Sequence, residues 1–241
     1  MDLALDVGVS PRHLSFIETG RSNPSPELLL TLADRLDVPF RERNTLLLAA
    51  GYAPRYSNTA LDDPTLARIR SALQRMLDLH DPYPGIVIDR MWNAVLLNDS
   101  AHRLAALLPP RLRGPPLNVF RACLHPMGLA GRTVNFAEWS AYLLTQLRRL
   151  HALTADPELS LLLEEVTEYP NIVALGDPRR APQSDEPQLL VPWRLELSDV
   201  QLSFFMTMTA FGTPQDITVA ELAVELFYPA DDVTEAALRN G

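Results

Sequence analysis

The side chains that could do chemistry fall into two groups. Near the N-terminus, Ser10, Arg12, His13 and Ser15 lie within six residues, and Arg21 and Ser22 follow shortly after. Arginine offers a planar fork of N–H donors that fits a guanine edge or a phosphate. Hydroxyls and an imidazole add single hydrogen bonds, so this set suits reading a nucleic acid rather than breaking a bond. The bland alternative for each is a solvated surface residue. The second group is apolar: Trp139, Leu143, Trp193, Phe204, Met206 and Met208, with Arg194 among them. Aromatic and methionine side chains can line a pocket for a lipophilic molecule, because methionine adapts to irregular apolar shapes. Arg194 or Arg90 could donate to an acidic or amide head group. Such a stripe also serves as plain core.

Sets that would make or break bonds are absent. The sequence has no G-x-G-x-x-G, P-loop, G-x-S-x-G or H-E-x-x-H pattern. The five histidines are scattered, and the one close pair, Cys123 and His125, is two ligands short of a structural zinc site. No catalytic residue, metal or cofactor is assigned, although a serine, an aspartate and a histidine could still meet in space.

The N-terminal group needs a helix to present it. Leu3, Ala4 and Val7 face inward on a short helix, and Gly8 supplies the positive φ of a tight turn. Ser10 is a helix N-cap and Pro11 suits the first helical position. Leu14 and Ile17 are inward residues of the second helix, and a side chain larger than Ala4 would force the two helices apart. Further helices are predicted from Leu28 to Leu36 and from Arg41 to Ala50. This all-α segment covers residues 1–53. Residues 54–65 lack periodicity and read as a linker.

Residues 66–241 mix helices and strands. Gly85–Arg90 and Trp92–Asn98 read as a strand pair, followed by a helix from Ser100 to Leu108 that Pro109-Pro110 stops. Residues 109–134 read as loops with a short helix near Leu117–Leu124. Asn135 with Glu138 has the form of a capping box for a helix with Trp139, Leu143 and Leu147 on one stripe. Asp156-Pro157 opens the next helix, with Leu159, Leu162 and Val166 inward. Asp177–Pro187 reads as a loop. Val191, Trp193, Leu195 and Leu197 alternate with Pro192, Arg194, Glu196 and Ser198, and Leu202, Phe204, Met206 and Met208 with Ser203, Phe205, Thr207 and Thr209, which predicts an antiparallel hairpin turning at Ser198-Asp199. A last strand fits Leu222–Tyr228. The fold class is α+β, an antiparallel sheet covered by helices.

Composition bounds the function. Hydrophobic residues are 47% and charged residues 21% of the 241, as in a globular protein. No run of about 18 apolar residues predicts a membrane span, and Asp2 and Asp6 argue against a secretory leader. The one cysteine, Cys123, rules out an intrachain disulfide and fits a reducing, cytoplasmic setting. The net charge of −9 gives no bulk support for nucleic-acid binding. Residues 1–60 have six arginines against seven acids, and residues 61–241 have fifteen against twenty-three. Every basic residue is arginine, a bias that suits phosphate and guanine but also follows from a GC-rich genome.

The stretch VSPRHLSFIETGRSNPSPELLLTLADRLDVPFRERNTLLLAAGYAP resembles the Cro/repressor-type helix-turn-helix domain. HDPYPGIVIDRMWNAVLLNDSAHRL (80–104) and FGTPQDITVAELAVELFYPAD (211–231) resemble the effector domain of MmyB-like transcription regulators, which pair the two domains in this order. The resemblance implies a PAS-like second domain holding a lipophilic ligand such as a fatty acid. It also implies a homodimer on a palindromic DNA operator. Ser10, Arg12, His13 and Ser15 would then face the major groove, and Arg21 and Ser22 would contact phosphate. Family domains begin with a further helix that would precede residue 1, so the first domain is read as N-terminally truncated. Two alternatives accompany this reading: a sensor or interaction module whose DNA-binding domain is degenerate, and an enzyme acting on a lipophilic small molecule.

Overall fold

Three hydroxyl or carboxyl residues followed by proline open helices. Ser10 Oγ accepts from His13 N at 3.1 Å, Ser25 Oγ from Leu28 N at 3.2 Å, and Asp156 Oδ1 from Glu158 N at 2.8 Å. Each cap satisfies an amide that the first helical turn leaves without a partner, and the proline after it removes another. The computed structural model of the chain describes residues 2–176, 189–197 and 199–240. It divides into two compact units, residues 1–63 with 211–220, and residues 64–210 with 221–241.

The first unit contains α1 (Asp2–Asp6), α2 (Pro11–Glu18), α3 (Pro26–Arg35) and α4 (Phe40–Ala49). Gly8 turns the chain between α1 and α2 at φ 73°. Ala4, only 1% exposed, is the close-packed residue of α1. Leu14 and Ile17 are half-buried, and α2 buries no residue completely. Tyr56, in the predicted linker, stacks on Phe40 with ring centroids 4.1 Å apart. The Asn44 amide donates to Tyr56 O at 2.8 Å and accepts from the backbone of Arg55 and Tyr56. This part of the linker is therefore ordered against α4.

The second unit begins with α5 (Ala67–Asp78), β1 (Gly85–Ile88) and β2 (Asn93–Leu97). Asp89 Oδ1 accepts from Met91 N and Asn93 N, and Trp92 takes φ 59°, so the strands turn between Asp89 and Trp92. Next come α6 (Asp99–Ala106), α7 (Pro110–Arg113), β3 (Leu117–Asn118) and α8 (Val119–Leu124). Then follow α9 (Phe136–Thr154), α10 (Pro157–Thr167), α11 (Pro170–Val173), β4 (Trp193–Leu197) and β5 (Val200–Ala210). The chain then passes through α12 (Ile217–Glu221), which up to residue 220 belongs to the first unit, and returns to the second as β6 (Ala223–Pro229) and α13 (Asp232–Asn240). The six strands form one antiparallel sheet in the order β3-β2-β1-β6-β5-β4.

Trp139, Leu143 and Leu147 of α9 and Leu159, Leu162 and Val166 of α10 are buried together with Trp193, Leu195 and Phe204 of the sheet. Asn135 departs from the expected cap. It makes no cap bond to α9 but donates to Glu138 Oε2 and Pro192 O and accepts from Arg194 N, tying the start of α9 to β4. The predicted hairpin is present, with Leu197 paired to Val200. Asp199 lies at its turn, while Ser198 is outside the described residues, as is the predicted loop 177–187. Strand β5 is longer than its alternation predicts because Val200 and Gln201 already pair with β4 and Ala210 continues to pair with β6. Past Phe204 it has no register partner on β4, and Met208 is 46% exposed.

Candidate nucleic-acid interface and ligand cavity

Helix α2 places Arg12 and Ser15 at the surface and His13 in a half-buried position. The Arg12 guanidinium lies 5.3 Å from the centre of the Phe16 ring, a contact that orders a long side chain before it meets a partner. Ser10 Oγ serves as the cap, so its hydroxyl proton remains the group it can offer outward. The backbone amides of Arg21 and Ser22 both donate to Phe16 O, at 2.7 and 3.2 Å. Any phosphate contact by these two residues therefore belongs to their side chains. Two exposed arginines, Arg12 and Arg21, bracket α2.

In the second unit a cavity of about 70 Å³ lies between the sheet and helices α6, α8 and α9. Four of the residues singled out from sequence line it: Trp139, Leu143, Trp193 and Met206. Trp139 stacks on Trp193 with centroids 5.7 Å apart, and Trp193 Nε1–H donates to Thr133 Oγ1 at 3.2 Å. Trp92 and Glu225, which the sequence did not single out, complete the wall, and no arginine or histidine is part of it.

A second, larger pocket of about 510 Å³ is lined by Phe204, Leu202, Leu197 and Leu238 together with Arg103 and Arg132. Pro84 and Leu104 line both pockets. Phe204 thus belongs to this second wall, and Met208 lines neither pocket. Arg194 alternates with the buried Trp193 and Leu195 and also lines neither. Arg90 is engaged by Asp156 and, at 3.9 Å, by Glu221. The guanidinium groups on the walls of these two pockets are Arg103, which also donates to Ser100 Oγ at 2.7 Å, and Arg132.

The domain formed by the sheet and its helices decides the family. The model of the MmyB-like transcription regulator ligand binding domain matches residues 69–240. The chain belongs to the MmyB-like transcription regulators. A helix-turn-helix model matches residues 2–43. No protein of curated function matches the chain. The regulator thus joins a DNA-binding helix-turn-helix domain to a domain that takes a small-molecule ligand, and it is a ligand-modulated transcription regulator. The two families point to regulation of transcription rather than to enzymatic turnover. Among the described residues, no helix of the regulator is long and apolar enough to cross a membrane, and no group of three or more potential ligands could hold a metal ion.

The cavity has unusual electrostatics for an apolar space. Burial pushes the Glu225 carboxyl up to about 7. Burial, and then Glu225, push the Cys123 thiol up to about 12 against the lowering effect of the Trp139 indole. Cys123 is thus an un-ionised small side chain rather than a reactive thiol. The regulator's other charged cluster is structural. Arg121 donates to both Glu165 oxygens, and Tyr169 Oη donates to Glu165 Oε1 at 2.5 Å. The bond from Arg121 holds the Glu165 carboxyl below its ordinary range although burial opposes it. His151 Nε2 meets Ser160 Oγ at 2.7 Å, but the neighbouring Asp156 pairs with Arg90. This Ser–His contact joins α9 to α10.

Proposed function

We propose that the regulator binds a palindromic operator as a homodimer, and that a lipophilic, fatty-acid-like ligand in the second unit sets its operator affinity. The observation that carries this reading is the apolar cavity of Trp139, Leu143, Trp193 and Met206, with Arg103 and Arg132 on the pocket that shares Leu104 with it. An amphiphile has the matching polarity, with a chain for the apolar wall and an anion for the guanidinium pair. Met206, whose unbranched thioether adapts to irregular apolar shapes, would let the 70 Å³ space take a longer chain.

On the DNA side, Arg12 is the reader of a base edge, with Ser10, His13 and Ser15 beside it and Arg21 and Ser22 on phosphate. A two-fold dimer would place the half-sites about one helical turn apart, roughly 34 Å. The ligand acts by favouring one of two states, and its effect is limited to the difference in its affinity for them. The test is organic extraction of the purified full chain followed by mass spectrometry, together with operator binding before and after extraction. An unmodified amphiphile whose removal changes operator affinity supports the proposal. A chemically converted product, or operator affinity indifferent to extraction, contradicts it.

A further inference from the structure

Two polar groups in the wall of the cavity have no nitrogen or oxygen to bond to, and the Trp139 indole has only the weakly accepting Cys123 sulfur near it. Trp139 Nε1 and Glu225 Oε1 are buried and without a hydrogen-bond partner, and both residues line the same cavity. Trp139 is 3% and Glu225 1% exposed. Away from the cavity Asn171 Oδ1 is likewise unpartnered, but other buried polar groups of the domain are satisfied. Trp193 Nε1 has Thr133, and the buried Asn98 side chain bonds to Gly85, Ala101, Leu77 and Tyr83. Buried polar groups left unpaired are costly and rare, so a matched donor and acceptor facing one space call for an occupant.

Their surroundings narrow its chemistry. Cys123 lines the same cavity, and both Glu225 and the Trp139 side chain act on its ionisation. Tyr142 is the other titratable neighbour of Glu225, and burial, then Glu225, push its phenol up to about 12. Cys123 and Tyr142 are therefore neutral near pH 7, and no cationic side chain lines the cavity.

We infer that Trp139 and Glu225 form a polar subsite for a neutral ligand group that both accepts and donates a hydrogen bond, a hydroxyl or a primary amide. This rests on the cavity being the ligand site. The indole N–H can only donate, so it requires an acceptor. An ionised carboxylate would serve Trp139 but would have to hold a proton on Glu225 or face it as a second anion in an apolar space. An ammonium would serve Glu225 but leave the indole N–H unpaired. A hydrocarbon would leave both unpaired. A hydroxyl accepts from Trp139 and donates to Glu225, so the ligand is a lipophile carrying a hydroxyl or amide within its buried part.

The test uses the full chain and three short probes at pH 7.5: 1-hexanol, its isomer pentyl methyl ether, and hexylammonium. All three tryptophans of the chain line the cavity, so intrinsic fluorescence reports its occupancy directly. 1-Hexanol is expected to bind about fivefold more tightly than the ether, the ratio one net hydrogen bond gives. Glu225→Leu is expected to abolish that preference and Glu225→Gln, which keeps shape and polarity, to retain it. Trp139→Phe is expected to weaken both probes alike, since each accepts from the indole. Equal binding of alcohol and ether, or tighter binding of hexylammonium, overturns the polar subsite and leaves the cavity as the ligand site. Failure of every probe to bind overturns both.

Discussion

Thr59 Oγ1 donates to Asp216 Oδ2 at 2.7 Å across 157 residues of sequence, and Thr59 N donates to the same oxygen at 3.1 Å. Ser57 Oγ adds a third bond at 2.7 Å. Asp216 lies in the segment that leaves the sheet after β5 and returns as β6, and Ser57 and Thr59 follow the stretch held against α4. The two strands that contribute Met206 and Glu225 to the cavity are thus joined through the chain to a carboxylate that organises the linker.

That relationship predicts a measurable coupling. Hydrogen bonds to an ionised group contribute about 1.5–3 kcal/mol. Asp216→Ala should destabilise the first unit by roughly 2 kcal/mol in a urea melt. In a double-mutant cycle with Thr59→Val, the two losses should be less than additive by about 1 kcal/mol. Strict additivity would show that the bond carries no stability. Burial pushes the Asp216 carboxyl up, but the bonds from Ser57 and Thr59 leave it below its ordinary value. The contribution is therefore present above the ordinary aspartate value near 3.8 and is lost as pH falls through the lower folded value.

Glu225 should give the opposite sign. Its carboxyl is raised from 4.5 to about 7 by burial. Below 4.5 both folded and unfolded states hold the proton. Between 4.5 and 7 the unfolded state ionises first, so stability declines as pH rises, and above 7 it is level again. The total decline is roughly 3 kcal/mol, taken from the size of the shift. Glu225→Gln should remove this slope and be the more stable protein at pH 8. An unchanged slope in urea melts from pH 4.5 to 8 would assign the decline to another group.

Arg12→Ala should weaken specific operator binding by roughly 1–3 kcal/mol and relax discrimination at one base pair. Arg21→Ala should instead weaken all sequences alike and flatten the salt dependence. Competition binding with single-base operator variants separates the two. A uniform loss in Arg12→Ala would reassign that residue to the backbone.

Much of this was legible from local signals. The pairs Ser10-Pro11, Ser25-Pro26 and Asp156-Pro157 fix helix starts by bonds within three residues. The Trp139, Leu143, Leu147 stripe follows from helical period alone, and four of the seven residues proposed for a ligand line one cavity. What sequence could not supply depends on contacts far apart in the chain. Glu225 looks like one of many surface acids until its pairing with Ile86 and Met208 places it at the centre of the sheet. Met208 continues the alternation of Phe204 and Met206, but past Phe204 the neighbouring β4 has ended and the side chain is exposed. Arg103 and Arg132 are set on one pocket by the packing of α6 and the turn before α9, which no spacing encodes. Asn135 has the form of a cap, but β4 presents Pro192 O and Arg194 N to it, and those bonds take its side chain.

The most direct test of ligand-modulated DNA reading is fluorescence anisotropy of the full chain on a fragment from its own upstream region, with and without saturating 1-hexanol, at two salt concentrations. The account predicts specific binding that outcompetes random DNA, weakens steeply with salt, and shifts several-fold when the cavity is filled. It also predicts that the shift vanishes in an Ala105→Phe variant whose cavity is blocked by its own side chain, Ala105 being part of the wall. Specific binding that is identical with the cavity full or empty would contradict it.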